Sequence, residues 1–256
     1  MNIYLDIETI PAQDPTVLQS IREELSHDFK APSGLTKEKA AEELGIDAEK
    51  AKYISKDSML ARWVERFRDE KLEEVAEEKW RRTSFDGALG HIAVIGYAID
   101  NDDPGSVWNL IPEADEAEVL SEFFAIIRDS YSPSSDRLPV IVGHNVIDFD
   151  LRFIFQRAVI LGIEPPAVIP FYARPWDDRV FDTMTRWAGI GNRVSLDKLC
   201  KVLGISQKGA ELNGEDIDGS MVWDFIKAGR IEDVATYCAG DVMRTREIYK
   251  RLTFKR

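Results

Sequence analysis

The first apolar run of this chain, Ile3-Tyr4-Leu5-Asp6-Ile7-Glu8-Thr9, carries two carboxylates two residues apart. In a strand, residues i and i+2 point to the same side of the sheet. Tyr4, Asp6 and Glu8 therefore share one face, and Ile3, Leu5 and Ile7 the other. Two acids on an otherwise apolar strand are costly to bury without a partner. Either both lie past the strand's end in water, or the fold brings a partner to them. A metal ion is the natural one.

The rest of the chain says what kind of sheet that strand joins. After it, near residue 8, Pro11 and Pro15 interrupt extended structure. From about 16 to 82 Glu, Lys, Ala and Arg dominate, with Leu60, Trp63, Val64 and Phe67 at helical spacing. Thr36–Leu44 (stopped by Gly45) and Met59–Arg82 read as helices. This stretch reads as a helical insertion in one domain of 1–256; a separate module or a mobile arm would show the same composition. His91–Ile99 and Ser106–Ile111 then flank the turn signal Asn101-Asp102-Asp103-Pro104-Gly105 and predict a hairpin. Asp115 and Glu118 have capping-box spacing ahead of the stripe Val119, Leu120, Phe123, Phe124, Ile126 and Ile127. Leu138–Val142 predicts a short strand ending at Gly143. Asp150–Leu161 predicts a helix stopped by Gly162, and Arg179–Phe181 another strand. Ser195 caps a helix through Leu203, stopped by Gly204. A short helix within 218–230 and a last one over 231–252 complete the chain. Three early strands followed by alternating strands and helices imply an α/β fold, a mixed sheet with helices on its faces.

Two further polar groups stand out. Gly143-His144-Asn145-Val146-Ile147-Asp148-Phe149-Asp150 joins a predicted strand to a predicted helix, the place where such sheets bind ligands. Asp148 or Asp150 is equally placed to cap that helix. Tyr237 and Asp241 are four residues apart in Tyr-Cys-Ala-Gly-Asp and so lie on one helix face. A strand carboxylate pair joined by a helix carboxylate is the oxygen-rich site that Mg²⁺ or Mn²⁺ requires.

Taken together these groups resemble the DEDD superfamily of 3′–5′ exonucleases, in the branch with a tyrosine in the third motif. Asp6-Ile7-Glu8-Thr9 is similar to the first motif, Asn145-Val146-Ile147-Asp148-Phe149-Asp150 to the second and Tyr237-Cys238-Ala239-Gly240-Asp241 to the third. The second motif's pattern, Asn-x-x-x-Phe-Asp, selects Asp150 over Asp148. Residues 153–163 and Phe181-Asp182-Thr183-Met184 resemble the proofreading domain of family-B DNA polymerases. Asp6–Pro11 resembles the stand-alone bacterial and phage exonucleases related to it. The resemblance covers roughly 1–11 and 84–252.

It implies a ribonuclease-H-like fold with a five-stranded mixed sheet flanked by helices. It also implies hydrolysis of single-stranded DNA from the 3′ end to nucleoside 5′-monophosphates, with two divalent cations, Mg²⁺ or Mn²⁺. Asp6, Glu8, Asp150 and Asp241 would hold the cations, and Tyr237 would orient water. Thr9, Ile10 and Asn145 are expected to contact the terminal nucleotide, and Phe149 to stack on a base or pack in the core. A 3′–5′ exoribonuclease, or an inactive nucleic-acid-binding module of the same fold, is the alternative. Lys208 as a phosphate contact, Trp80, Arg81 and Arg82 as cleft residues and His144 as a catalytic group are weaker candidates.

Composition bounds the reading. A net charge of −13 over 256 residues argues against a protein that coats nucleic acid, but not against one gripping a few nucleotides through cations. The basic residues Arg244, Arg246, Lys250, Arg251, Lys255 and Arg256 are either a nucleic-acid face or a solvated one. Two cysteines, Cys200 and Cys238, give no disulfide framework and no zinc spacing. With no membrane-length apolar run and no signal peptide, the expectation is a cytoplasmic protein of bacterial or phage type with a role in DNA repair or replication. From the length of 256 residues the expectation is an exonuclease without a polymerase in cis.

Overall fold

The computed structural model of the chain describes residues 1–27, 29–110, 112–134, 137–206 and 217–255; Lys208 lies outside them. The chain forms two compact units, one of residues 1–11 and 83–256, the other of residues 12–82.

The first unit is built on a five-stranded sheet. Its strands are β1 (Asn2–Ile10), β2 (His91–Ile99), β3 (Gly105–Trp108), β4 (Val140–Gly143) and β5 (Val180–Asp182), in the order β3-β2-β1-β4-β5. β1, β2 and β3 pair antiparallel. β4 joins β1 in parallel, and β5 joins β4 in parallel. This is the mixed, ribonuclease-H-like sheet that the motifs imply. β1 is central and buried on both sides, which explains why its non-acidic residues are all apolar or aromatic between Ile3 and Ile7. Ile3, Leu5 and Ile7 enter one apolar cluster with Phe123, Phe124, Ile127, Phe153 and Ile154. Tyr4, on the other face, packs with Val242 and Tyr249. Each such fully buried side chain contributes about 1.5–3 kcal/mol, so the strand's position is strongly specified.

The second unit holds α1 (Pro15–His27), α2 (Lys37–Glu43), α3 (Ala48–Ala51) and α4 (Lys56–Arg81). Thr36, Asp47 and Ser55 cap the last three through side-chain oxygens. Leu35, Ala40, Ala41, Met59 and Trp63 form its own core, so the charged stretch folds around its own interior. Pro15 opens α1, where a missing N–H costs nothing. Within this unit Trp80 Nε1 donates to the Ala12 carbonyl at 2.8 Å, and Arg81 and Arg82 pair with Glu77 and Glu78.

The 3₁₀ turn Arg82–Phe85 leads toward β2, and in the first unit α5 (Pro112–Ser130), α6 (Asp150–Leu161), α7 (Thr183–Ala188), α8 (Leu196–Leu203), α9 (Val222–Lys227) and α10 (Ile231–Leu252) surround the sheet. The glycine stops read from sequence hold: Gly162 and Gly204 adopt left-handed φ of 67° and 65°. One signal misleads. Asp115 and Glu118 do not cap α5, which begins at Pro112; Glu118 instead accepts from Asn109 Nδ2 at 3.0 Å.

Candidate active site

Asp6 lies opposite Gly96 in the β1–β2 register, and Glu8 opposite Val94. A register shift between Glu8 and Thr9 then bends the pairing at the strand's end, a device that re-aims side chains at sheet edges. Gly96 is what allows α10 to approach. A Cβ there would fall 2.7 Å from Cys238 Sγ and 3.0 Å from Val242 Cγ2. The missing side chain lets the third-motif helix settle over β2 beside β1, on the face that carries Tyr4, Asp6 and Glu8. Cys238 Sγ donates to Asp6 Oδ2 at 3.5 Å and to the Asp6 carbonyl at 3.6 Å. Tyr237 and Asp241 flank that thiol along the helix, both buried.

The second-motif loop closes on the same strand from the other edge. The Ile7 N–H, between the two acids of β1, donates to Asp150 Oδ1 at 3.1 Å. Asp150 is thus the first residue of α6 and buried, while Asp148 is exposed. Neither carboxylate caps the helix through its side chain; Phe149 occupies the cap position. Asp182 shapes the loop. Its carboxylate accepts from the N–H groups of Asn145 (3.1 Å) and Ile147 (3.3 Å) while capping α7 through Met184 and Thr185. Asn145 has a left-handed φ of 65°, uncommon away from glycine though best tolerated by Asn and Asp. Its side-chain oxygen is buried without a hydrogen-bond partner among the described residues.

The electrostatics report an excess of negative charge. The Tyr237 phenol is pushed up by burial and then by Glu8, Asp241 and Asp6. The Cys238 thiol is pushed up by burial and by the same three carboxylates. Asp150 is raised to about 7 by burial, with Asp182 adding to the rise, against hydrogen bonds from its own N–H and that of Ile7. One cation intrudes: Arg244 Nε pairs with Asp241 Oδ1 at 2.8 Å, both buried. Ligand atoms of Asp6, Glu8 and Cys238 lie within 4.8 Å of one another. The thiol is held protonated and donates to Asp6, so the donors on offer are hard carboxylate oxygens. The residues fit Mg²⁺ or Mn²⁺ better than a thiolate-bound zinc.

The structure thus brings Asp6, Glu8, Asp150, Tyr237 and Asp241 to β1 and its flanks. Thr9 stands at the edge, its Oγ1 donating to the Ser84 carbonyl at 2.7 Å. Phe149 is half-buried between Phe85 and Phe153, with ring centroids 6.3 and 5.7 Å away. Ile10 has no exposed surface and packs with Ala93, Val234 and Tyr237, which removes its side chain from any ligand. His144 is structural, bonded to Thr183 Oγ1 at 2.9 Å and the Val194 carbonyl at 2.8 Å. The basic cluster of α10 is no nucleic-acid face as a whole. Arg244 and Arg246 are buried, and Lys250 pairs with Glu247. Sequence reasoning missed Asp182 and Arg244 as organisers of the site. The strand-Asp-Thr-helix pattern at 182 was the available signal for the first; Arg244, three residues beyond Asp241, has none that separates it from an exposed pair.

Comparison with known proteins bears on this arrangement. The family described as "Predicted 3′-5′ exonuclease related to the exonuclease domain of PolB" matches residues 86–256. The match takes in the second and third motifs and begins after β1. No curated protein matches the chain. Among solved structures, the family B DNA polymerase from the hyperthermophilic archaeon Pyrobaculum calidifontis is similar with a TM-score of 0.49 and 18% identity. That likeness covers 66% of this chain and 22% of the polymerase.

Proposed function

The chain belongs to the family of predicted 3′–5′ exonucleases related to the exonuclease domain of PolB, and from that premise we propose that it hydrolyses single-stranded DNA from the 3′ end, releasing nucleoside 5′-monophosphates. The observation that carries this reading is the convergence of Asp6 and Glu8, whose ligand atoms lie within 4.8 Å of each other and of Cys238 Sγ, on the side of the sheet where Tyr237 and Asp241 of α10 are buried. Carboxylates gathered this closely in a buried place call for a divalent cation.

In the proposed mechanism Asp6, Glu8, Asp241 and Asp150 would hold two divalent cations, Mg²⁺ or Mn²⁺. When bound, such ions lower the pKa of water and stabilise charge on a leaving oxygen. Water attacks the terminal phosphorus, the bond from phosphorus to the 3′ oxygen breaks, and that oxygen takes up a proton as the new 3′ hydroxyl. Tyr237 orients the attacking water through its hydroxyl. Its phenol is held protonated far above neutral pH by burial and the neighbouring acids, so it positions and does not take the proton. Asp182 acts on the reaction through Asn145 and Ile147, fixing the loop that carries Asp150. The buried, partnerless oxygen of Asn145 offers an acceptor to the terminal nucleotide, and Thr9 borders the same end of β1. Phe149 is placed to stack against an unpaired base, an interaction worth about 1–3 kcal/mol. Two buried free thiols, and no helix among the described residues long and apolar enough to cross a membrane, accord with action on DNA in the cytoplasm.

The test is digestion of 5′-labelled single-stranded DNA and RNA of one sequence, with Mg²⁺, Mn²⁺ or EDTA. We expect a metal-dependent ladder that shortens from the 3′ end of DNA and is reduced at least about a hundredfold in Asp241→Ala. Cleavage of RNA alone would replace DNA with RNA as substrate. Undiminished cleavage by Asp241→Ala would remove the mechanism.

A further inference from the structure

A second concavity lies beside the second-motif loop and is not used by the chemistry above. It encloses about 360 Å³, within the usual range of small-ligand sites of about 300–1,000 Å³. Asp148 is the one acid of its lining. The remaining polar lining is cationic: Arg152, from the first turn of α6, and Arg174, from the irregular segment between α6 and β5. Three rings complete it. Phe155 packs against Phe171 and Tyr172, with both centroid distances 5.4 Å, and Tyr172 is 80% exposed.

Two properties matter here in a chain of net charge −13. Several of its surface cations pair with acids, as in Arg22–Glu73, Lys71–Glu74 and Lys250–Glu247. Arg152 and Arg174 are both exposed, and neither makes an ion pair or side-chain hydrogen bond among the described residues. Tyr172 also leaves a large ring in water, held from behind by Phe155 and thus limited in its rotamers. An exposed aromatic ring lining one cavity with two guanidinium groups is the pairing that binds single-stranded nucleic acid: rings stack on bases of any sequence, and arginines meet phosphates. Asp148 repels phosphate from its own side and leaves the arginine side as the backbone's path.

We propose that this cavity is a nucleotide subsite for the single strand upstream of the scissile phosphate, with a base on Tyr172 and the adjoining phosphates on Arg152 and Arg174. The assignment rests on the exonuclease reading for its direction along the strand, though not for its ligand class. It gives an acidic protein a local means of holding its polyanionic substrate. It also makes strand length matter, because a substrate too short to leave the cleavage site cannot use the subsite.

The test separates binding from cleavage. Anisotropy of a fluorescein-labelled single-stranded oligothymidylate is measured in EDTA across a salt series, for wild type, Arg152→Ala/Arg174→Ala, the corresponding double lysine variant and Tyr172→Ala. The double alanine variant is expected to weaken binding about tenfold or more and to lower the slope of log Kd against log salt by about 1.4, two phosphates at about 0.7 each. The lysine pair is expected to restore most of the slope. Tyr172→Ala is expected to weaken binding at least about fivefold with the slope kept. Failure of wild type to bind in EDTA, or equal Kd and slope in correctly folded variants, would overturn the subsite. Binding with these effects but without any metal-dependent cleavage would keep the subsite and overturn the exonuclease reading.

Discussion

Two buried carboxylate centres lie in the sheet-bearing unit of this protein, and they are neutralised in opposite ways. In the first, Glu116 of α5 accepts from Arg157 at 2.6 and 2.8 Å, from the Ile92 N–H at 2.8 Å and meets His91 Nδ1 at 3.0 Å. Burial works to raise its pKa, but these partners outweigh it and hold the carboxyl below its usual value. In the second, Asp6, Glu8 and Asp241 raise the pKa of both neighbours that could lose a proton, Tyr237 and Cys238. Both centres are acidic and buried. Only the second leaves its surroundings negative, although Arg244 already pairs with Asp241. A buried acid whose charge is met by protein groups ties elements together; a cluster whose field still reaches its neighbours accords with the proposed binding of divalent cations there.

The largest expected effect breaks the first centre. Arg157→Ala leaves Glu116 with much of its compensation removed, and truncating one partner of a buried pair costs about 3–5 kcal/mol. Denaturant unfolding in EDTA should show that loss, while Glu8→Gln in the second centre should show little or none. A comparable loss for Glu8→Gln would mean that the site's acids are structural after all.

A smaller effect is expected from cations. At about a hundred times its Kd a ligand that binds only the folded state adds about 2.7 kcal/mol. Mg²⁺ or Mn²⁺ should therefore raise the melting temperature of wild type and of Arg157→Ala alike. Asp6→Ala should lose most of the increment. Equal metal-induced shifts in wild type and Asp6→Ala would contradict the assignment of Asp6.

Gly96→Ala tests how the second centre is assembled. The new methyl must displace Cys238 or Val242, and such overpacking costs about 1–3 kcal/mol. Because the displaced element carries Tyr237 and Asp241, cleavage should fall further than stability alone would explain. Full activity at a temperature where the variant is folded would show that the close approach at Gly96 is not needed by the site.

The second centre was far more legible in sequence than the first, for a physical reason. Its residues obey local periodicities, two apart on a strand and four apart on a helix, so each pair announces its common face before any contact is known. The sheet was legible likewise, since β1 and β2 are apolar runs and α6 and α8 end on glycines in left-handed conformations. Glu116, Arg157 and His91 are separated by 25 to 66 residues in their contacts, and no local pattern joins them. The start of α5 was misread because Asp115 and Glu118 satisfy the capping spacing inside the helix. The self-contained core around Trp63 was hidden by a composition that is mostly charge. Phe149, Phe155 and Tyr172 look alike as letters; only the fold shows which rings are covered and which stand in water.

The finest test of the contrast is pH, because Asp150 and Glu116 should respond with opposite sign. Asp150 titrates near 7 in the folded chain without metal, against 3.8 for the ordinary group. The folded state then binds its proton more tightly than the unfolded state does, so the stability it contributes is complete below about 3.8 and is lost as pH rises through about 7. Glu116 lies below its ordinary 4.5, so its contribution is present above 4.5 and is lost as pH falls through the lowered value. In EDTA, the stability of wild type relative to Asp150→Asn should decline from pH 5 to pH 7, a window inside that span. The stability of wild type relative to Glu116→Gln should be level across the same window and decline only in acid. Added Mg²⁺ should flatten the first curve, since a nearby cation favours the ionised carboxylate, and should leave the second unchanged. A Glu116 curve that also flattened with Mg²⁺ would place the ion's influence at both centres and erase the distinction between them.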